Sequence, residues 1–359
     1  MERATGVNLR GLRRRNSALL LGEIRRAGGL SRIELAARSG LTQQAVSKIV
    51  PALLAAGVLT EQRQPAAGVG KPRTRLTIRA DARSAIGVQL DRDEVHAVRT
   101  DLLGDVQARA SIALPRGYSP AEAVSAIGEC AHRLHGDGLL GIGVGALGPL
   151  DHRTGVLRDA TNLPGWREVP LRDRLTEAVG LPVLLDKDSN AAAFAHGWRA
   201  DGPVPATAVV LAGTGIGAGL LIDGSVYRGP RTNAGEFGHT TLAFDGPRCA
   251  CGRRGCVEVL HNAAAGRGDP AEAARLLGIG LADLVQVLDL ERIVLAGRAV
   301  RGAPELYRDS VAARLGELLP SPHWQRVRLD LDELGRDLVA AGAAAEVLAG
   351  FYEDAAEPG

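Results

Sequence analysis

Three of the four cysteines in this sequence fall close together, as Cys249, Cys251 and Cys256, and His239 lies just upstream. One imidazole and three thiolates make the donor set of a tetrahedral structural zinc. The Cys-x-Cys-x4-Cys spacing brings three sulfurs onto one knuckle, and the intervening glycines allow its bends. Four protein ligands leave no open position for water or substrate, which assigns the metal a structural role. No secretory leader is expected, because the arginines Arg3, Arg10, Arg13, Arg14 and Arg15 are not followed by an apolar stretch. Reduced thiols are then expected, and their clustering favours metal over disulfides. We expect one zinc per chain.

A second set of chemical groups lies near the N-terminus. Residues 1–80 hold 15 Lys and Arg against 4 Asp and Glu, a net of +11, while the remainder carries 28 against 37, a net of −9. A basic head on an acidic body suits nucleic acid. Leu20, Ile24 and Ala27 recur at helical spacing and predict a helix over roughly Asn16–Ala27, ended by Gly28 and Gly29. Ser31 and Glu34 form a capping-box pattern that starts a second helix at Ser31–Ser39. Gly40-Leu41-Thr42 is a short turn into a third helix with Val46, Ile49, Val50, Leu53 and Leu54 on its apolar face. Two helices joined by a tight Gly-containing turn are a helix-turn-helix. The polar tip of the third helix, Gln43, Gln44, Ser47 and Lys48, would enter the major groove. Val58–Thr60 and Arg73–Ile78 read as a β-hairpin wing whose Lys71, Arg73 and Arg75 reach phosphates or a minor groove. Pro51 leaves open whether the third helix bends or ends early.

The rest of the chain must position the metal and whatever lies beside it. Ala85–Leu90 and Val95–Asp101 read as a strand pair, and Leu139–Gly145 as a buried strand. A second unit begins near Pro205, with a strand at Thr207–Ala212 running through glycine-rich Gly213–Gly219 into Leu220–Ile222. The halves read as two related α/β units with a cleft between them, a usual place for a small ligand. No stretch approaches the ~20 apolar residues that span a bilayer, and the cytoplasm is the expected compartment.

The order of Gly213–Gly219, Asn233–His239 and the cysteine knuckle through Glu258 resembles the ROK family (repressors, open reading frames, kinases). Thr161–Trp166, Asp186–Asn190, Ile293–Gly297 and Leu334–Ala345 extend the resemblance over nearly the whole chain. With the basic head, the chain is similar to the family's transcription-factor branch, of xylose and N-acetylglucosamine repressor type. The resemblance implies an actin-like, two-lobed sugar-kinase fold behind a winged helix-turn-helix. The expected division is 1–80 for the DNA-binding domain, 81–203 for the first lobe and 204–359 for the second, with C-terminal helices returning to the first lobe.

It also implies a sugar site at Asn162, Lys187, Asp188, Glu236, His239 and Glu258, with His239 serving both sugar and metal. Carboxylates suit sugars because each oxygen accepts from vicinal hydroxyls. Lys187 departs from the family's Asn at that place, and is expected either to pair with Asp188 or Asp186 or to favour an anionic sugar. Family kinases carry Asp-x-Gly-Gly-Thr in the first phosphate loop, where this sequence has Gln89-Leu90-Asp91-Arg92-Asp93. Phosphoryl transfer needs that cradle, so no kinase activity is expected, although Asp188 matches the kinase base. The reading is a sugar-responsive DNA-binding regulator that acts as a homodimer, or a tetramer, on a double-stranded operator. Two alternatives stand beside it: a bifunctional kinase, and a constitutive DNA-binding protein with a degenerate pocket.

Overall fold

In a computed structural model the chain is described over residues 9–64, 73–159, 163, 165–320 and 324–354. The head opens with α1 (Leu9–Arg26), which starts earlier than the apolar spacing indicated. The capping box forms as expected. The Ser31 hydroxyl accepts from the Glu34 N–H at 3.3 Å, and the Ser31 N–H donates to the Glu34 carboxylate at 2.8 Å, starting α2 (Arg32–Ser39). Gly40 ends α2 at φ 69°, a left-handed conformation that glycine adopts without strain. Thr42 then caps α3 (Gln43–Ala55) by accepting from the Ala45 N–H at 3.2 Å.

Pro51 neither ends nor divides α3. The buried side chains Val46, Ile49, Val50 and Leu53 lie on both sides of it, and their packing holds the helix across the missing hydrogen bond. Strands β1 (Leu59–Gln64) and β2 (Arg73–Ile78) form the antiparallel wing, from Leu59 opposite Ile78 to Gln64 opposite Arg73. The head does not have a separate core. Leu20, Ile24, Val50 and Leu53 share one apolar cluster with Ala85, Leu102, Leu348 and Tyr352 of the body.

The body is built twice on one plan. The first half contains β3 (Ser84–Leu90), β4 (Glu94–Asp101), β5 (Val106–Ala113), α4 (Pro120–Arg133), β6 (Leu139–Ala146), β7 (Leu150–Asp151), β8 (Val156–Asp159), β9 (Arg167–Val169), α5 (Leu171–Val179), β10 (Val183–Lys187) and α6 (Asp188–Arg199). The second contains β11 (Thr207–Ala212), β12 (Ile216–Ile222), β13 (Ser225–Val226), α7 (Val257–Gly266), α8 (Pro270–Leu288), β14 (Arg292–Ala296), α9 (Arg298–Gly302), α10 (Pro304–Leu318) and β15 (Arg328–Leu331). Helix α11 (Leu338–Asp354) closes the described chain.

The sheet orders are β5-β4-β3-β6-β10 and β13-β12-β11-β14-β15. In each, a three-strand antiparallel meander is followed by two parallel strands. Strands β7, β8 and β9 make a small separate sheet. Helices α6 and α11 lie between the two large sheets and touch so closely that a Cβ on Gly342 would meet the Ala191 carbonyl at 1.8 Å. No helix among the described residues is long and apolar enough to cross a membrane.

Strand β12 starts within the glycine-rich stretch rather than after it. Ala212 pairs directly with Ile216, so Gly213–Gly215 form a tight hairpin, and Gly217 and Gly219 belong to β12. A Cβ on Gly219 would lie 1.9 Å from the Ser189 carbonyl. That glycine admits α6 against the sheet rather than a phosphate against the loop.

Candidate functional site

The four expected metal ligands come together. The donor atoms of His239, Cys249, Cys251 and Cys256 all lie within 4.8 Å of one another. Cys249 Sγ is 3.6 Å from His239 Nδ1, and Cys251 Sγ is 3.7 Å from Cys256 Sγ. A tetrahedral zinc with Zn–S bonds of about 2.3 Å holds its sulfurs just under 4 Å apart, so the donor set and its spacing fit that ion. Cys256 is also the residue before α7, which places Glu258 in the first turn of that helix. The turn bearing Glu236 and His239 is thereby tied to the helix bearing Glu258.

Between the two sheets lies a cavity of about 410 Å³ whose walls include Lys187, Asp188, Glu236, His239 and Glu258. His239 reaches both sites with its two ring nitrogens. Nδ1 faces the cysteines, while Nε2 lies 4.0 Å from Glu236 Oε2 on the cleft side. Glu258 Oε2 accepts from the Ile216 N–H at 2.9 Å, which fixes its carboxylate at the rim of the β11–β12 hairpin.

Asp188 begins α6 at the cleft floor and accepts from its neighbour, the Ser189 N–H, at 2.6 Å. Burial pushes its carboxyl up to about 7, against the opposing pull of the Lys187 charge. Asn162 and Thr161 lie outside the described residues.

Lys187 does not pair as the sequence suggested. Its ammonium sits 2.5 Å from Glu236 Oε1 and donates to the Ala234 carbonyl at 3.0 Å. Asp186 is already satisfied by the Lys187 N–H, the Asn190 amide and Arg228 Nε, at 2.7, 2.8 and 2.5 Å. Arg228 also meets Glu346 of α11 at 2.6 Å. This network locks the β10-to-α6 corner from which Lys187 and Asp188 project.

Residues 91–93 form the turn between β3 and β4. Asp91 accepts from the Thr214 hydroxyl at 3.1 Å, and Asp93 takes a two-pronged contact from Arg298 at 2.7 and 2.9 Å. Arg298 begins α9, on the far side of the cleft. Side chains and an inter-lobe clamp therefore occupy the loop where a kinase needs open backbone. Arg298 was not singled out from sequence, since a lone Arg after Ala296-Gly297 has no local signature.

In the head, Gln43, Gln44, Ser47 and Lys48 are all exposed on the first half of α3. Lys71 lies outside the described residues, and Arg73 is the first residue of β2. Arg75 is redirected: its guanidinium turns back to donate to the Ala27 carbonyl at the end of α1, at 3.3 Å. That contact gives it a role in fixing the wing to the helices, instead of the outward reach assigned to it. A further contact was missed. Arg25 of α1 lies over the Trp198 ring at 3.8 Å and donates to the Trp198 carbonyl at 2.6 Å.

The two-lobed body with its cleft and cysteine knuckle defines a sugar-kinase-like protein carrying a winged-helix head. The chain belongs to the ROK family, whose profile it matches over residues 85–268, and the head matches the MarR family over residues 11–68. The xylose repressor of Caldicellulosiruptor bescii is 29% identical over 69% of this chain, which spans just under two thirds of that relative, at 63%. The xylose repressor of Bacillus subtilis is 26% identical over 94% of this chain and 96% of its own length. Glucokinases are also among the relatives. In three dimensions the chain resembles a ROK family transcriptional regulator, a homolog of the E. coli MLC protein. That match has a TM-score of 0.76 at 22% identity and covers 96% of this chain and 98% of that one.

Proposed function

We propose that this protein is a sugar-responsive DNA-binding repressor of carbohydrate-metabolism genes, without kinase activity. It acts as a homodimer on a two-half-site operator. Residues 1–80 bind DNA, and 81–203 and 204–359 close on the effector. The observation that carries the reading is the shared core of head and body. Helices α6 and α11 both start at the cleft, with Asp188 and Leu338 in its wall, and both end against α1. A ligand that prefers one arrangement of the lobes thereby prefers one placement of the heads. The full-length similarity to xylose repressors supports the same conclusion.

In this reading Gln43, Gln44, Ser47 and Lys48 meet base edges and phosphates, with Arg73 and Lys71 on the wing. Asn162, Asp188, Glu236, His239 and Glu258 meet sugar hydroxyls. His239 Nδ1 and the three cysteine sulfurs hold one zinc, which neutralises thiolate charge and braces the knuckle. The bifunctional-kinase reading has one observation in its favour, a cleft carboxyl raised to about 7 at Asp188, a suitable range for a general base. The filled first loop and the Arg298 clamp outweigh it.

The test is a gel shift on DNA flanking the protein's own gene, with and without a sugar panel. A sugar-dependent change in affinity is expected. Absence of DNA binding at every salt concentration would remove the regulator assignment.

A further inference from the structure

The cleft contains six basic side chains and five acidic ones in its wall, and nearly all are already matched. Lys187 is held by Glu236, Arg298 by Asp93, and Arg336 by Glu94. Arg253 and Arg301 donate to the His239 and Gly335 carbonyls. Asp91 is bonded to Thr214, and Glu258 to the Ile216 N–H. Asp188 is pushed up to about 7 by burial, so near neutral pH it carries only part of a negative charge.

Arg92 is the exception. Its guanidinium lines the cleft, yet among the described residues it makes no side-chain hydrogen bond or ion pair, and its Nε is buried without an acceptor. A partly desolvated cation with an unfilled donor is costly until an anion meets it.

Its position indicates what that anion is attached to. A Cβ placed on Gly215 would lie 4.0 Å from Arg92 Nη2 and 3.1 Å from Glu258 Oε2. The free cation and a carboxylate suited to hydroxyls therefore flank the same hairpin, at most about 7 Å apart. One sugar with an anionic arm spans them.

We propose that the ligand of this cleft is an anionic sugar, and that Arg92 receives its phosphate or carboxylate. The fork of donors on a guanidinium suits either group. Lys187, whose charge is spent on Glu236, is not that receptor. Calling the ligand an effector rests on the regulator reading; the binding chemistry does not.

The experiment is calorimetry on the full chain with neutral sugars and their charged counterparts: glucose, glucose 6-phosphate and glucuronate; N-acetylglucosamine and its 6-phosphate; xylose and xylose 5-phosphate; and inorganic phosphate alone. At least one charged sugar is expected to bind ten-fold or more tightly than its neutral parent. The phosphate and glucuronate arms identify which anion fits. R92Q is expected to erase that preference and R92K to keep part of it, with both variants melting like the parent. Equal or tighter binding of the neutral sugars overturns the proposal, as does a preference that R92Q leaves intact or no binding by any probe. A gel shift run in parallel separates the two readings. Arg92-dependent binding without an effect on DNA keeps this inference and removes the regulator. A neutral sugar that alone alters DNA affinity does the reverse.

Discussion

Lys187 and Asp188 are neighbours in sequence, yet they face different partners. The lysine crosses to Glu236 in the second lobe, while the aspartate faces the cleft with its carboxyl raised from 3.8 to about 7 by burial. A raised carboxyl binds its proton more tightly in the folded chain than in the unfolded one. Stability therefore falls as pH rises between those two values and levels off above about 7. D188N removes the buried charge, so its melting temperature at pH 8 should exceed the parent's by about 3–6 °C, with the gap closing by pH 4. Thermal melts across that range check it, and a variant that melts lower at pH 8 would contradict the assignment. The cysteine knuckle gives a second residue-scale expectation. Elemental analysis should find one zinc in the parent and essentially none in C256S. Because Cys256 precedes the helix carrying Glu258, C256S should also weaken sugar binding.

At the scale of elements, α6 and α11 run from the cleft to the head. Gly342 packs against the Ala191 carbonyl with no room for a Cβ between the two helices, and Trp198 near the end of α6 meets Arg25 of α1. A cation–π contact of about 1 kcal/mol corresponds to roughly five-fold in an equilibrium. R25A should thus bind sugar and DNA separately much as the parent does, while the sugar-induced change in DNA affinity shrinks several-fold. Gel shifts at saturating and zero sugar measure this, and an undiminished sugar effect would show that the coupling runs elsewhere.

These contacts also mark where the sequence stopped being readable. Local signals carried through: the Ser31–Glu34 capping box, left-handed Gly40, the wing strands and the cysteine spacing each depend on residues a few positions apart. Arg25 and Trp198 are 173 positions apart, and Lys187 finds Glu236 across the cleft. No periodicity encodes such pairs, because they depend on how finished elements pack. Pro51 is ambiguous for a related reason, as its local meaning is one that tertiary packing overrides.

For the molecule as a whole, the charge split and the lobe clamp set what it can do. In the proposed regulator, a head of +11 on a body of −9 would orient the protein on DNA and make binding steeply salt-dependent. K48A should weaken DNA binding across sequences and reduce the salt slope by about 1, whereas Q44A should relax specificity at one base position. Phosphoryl transfer requires more than a base. The lobes must close on a nucleotide whose phosphates rest on open backbone, and here Arg298 of the second lobe grips Asp93 of the first at the mouth of the cleft. Asp91 fills the adjoining space from its bond to Thr214, so the side chains of residues 91–93 stand where a nucleotide triphosphate needs a wrap of backbone N–H groups. With ATP, magnesium and glucose or xylose, product should stay at the level of a no-protein control, in the parent and in D188N alike. R298A, which frees the clamp, should loosen the lobes without starting turnover, because the glycines of the first loop are still missing. Phosphorylated sugar formed by the parent and lost in D188N would show instead that the cleft holds a working kinase.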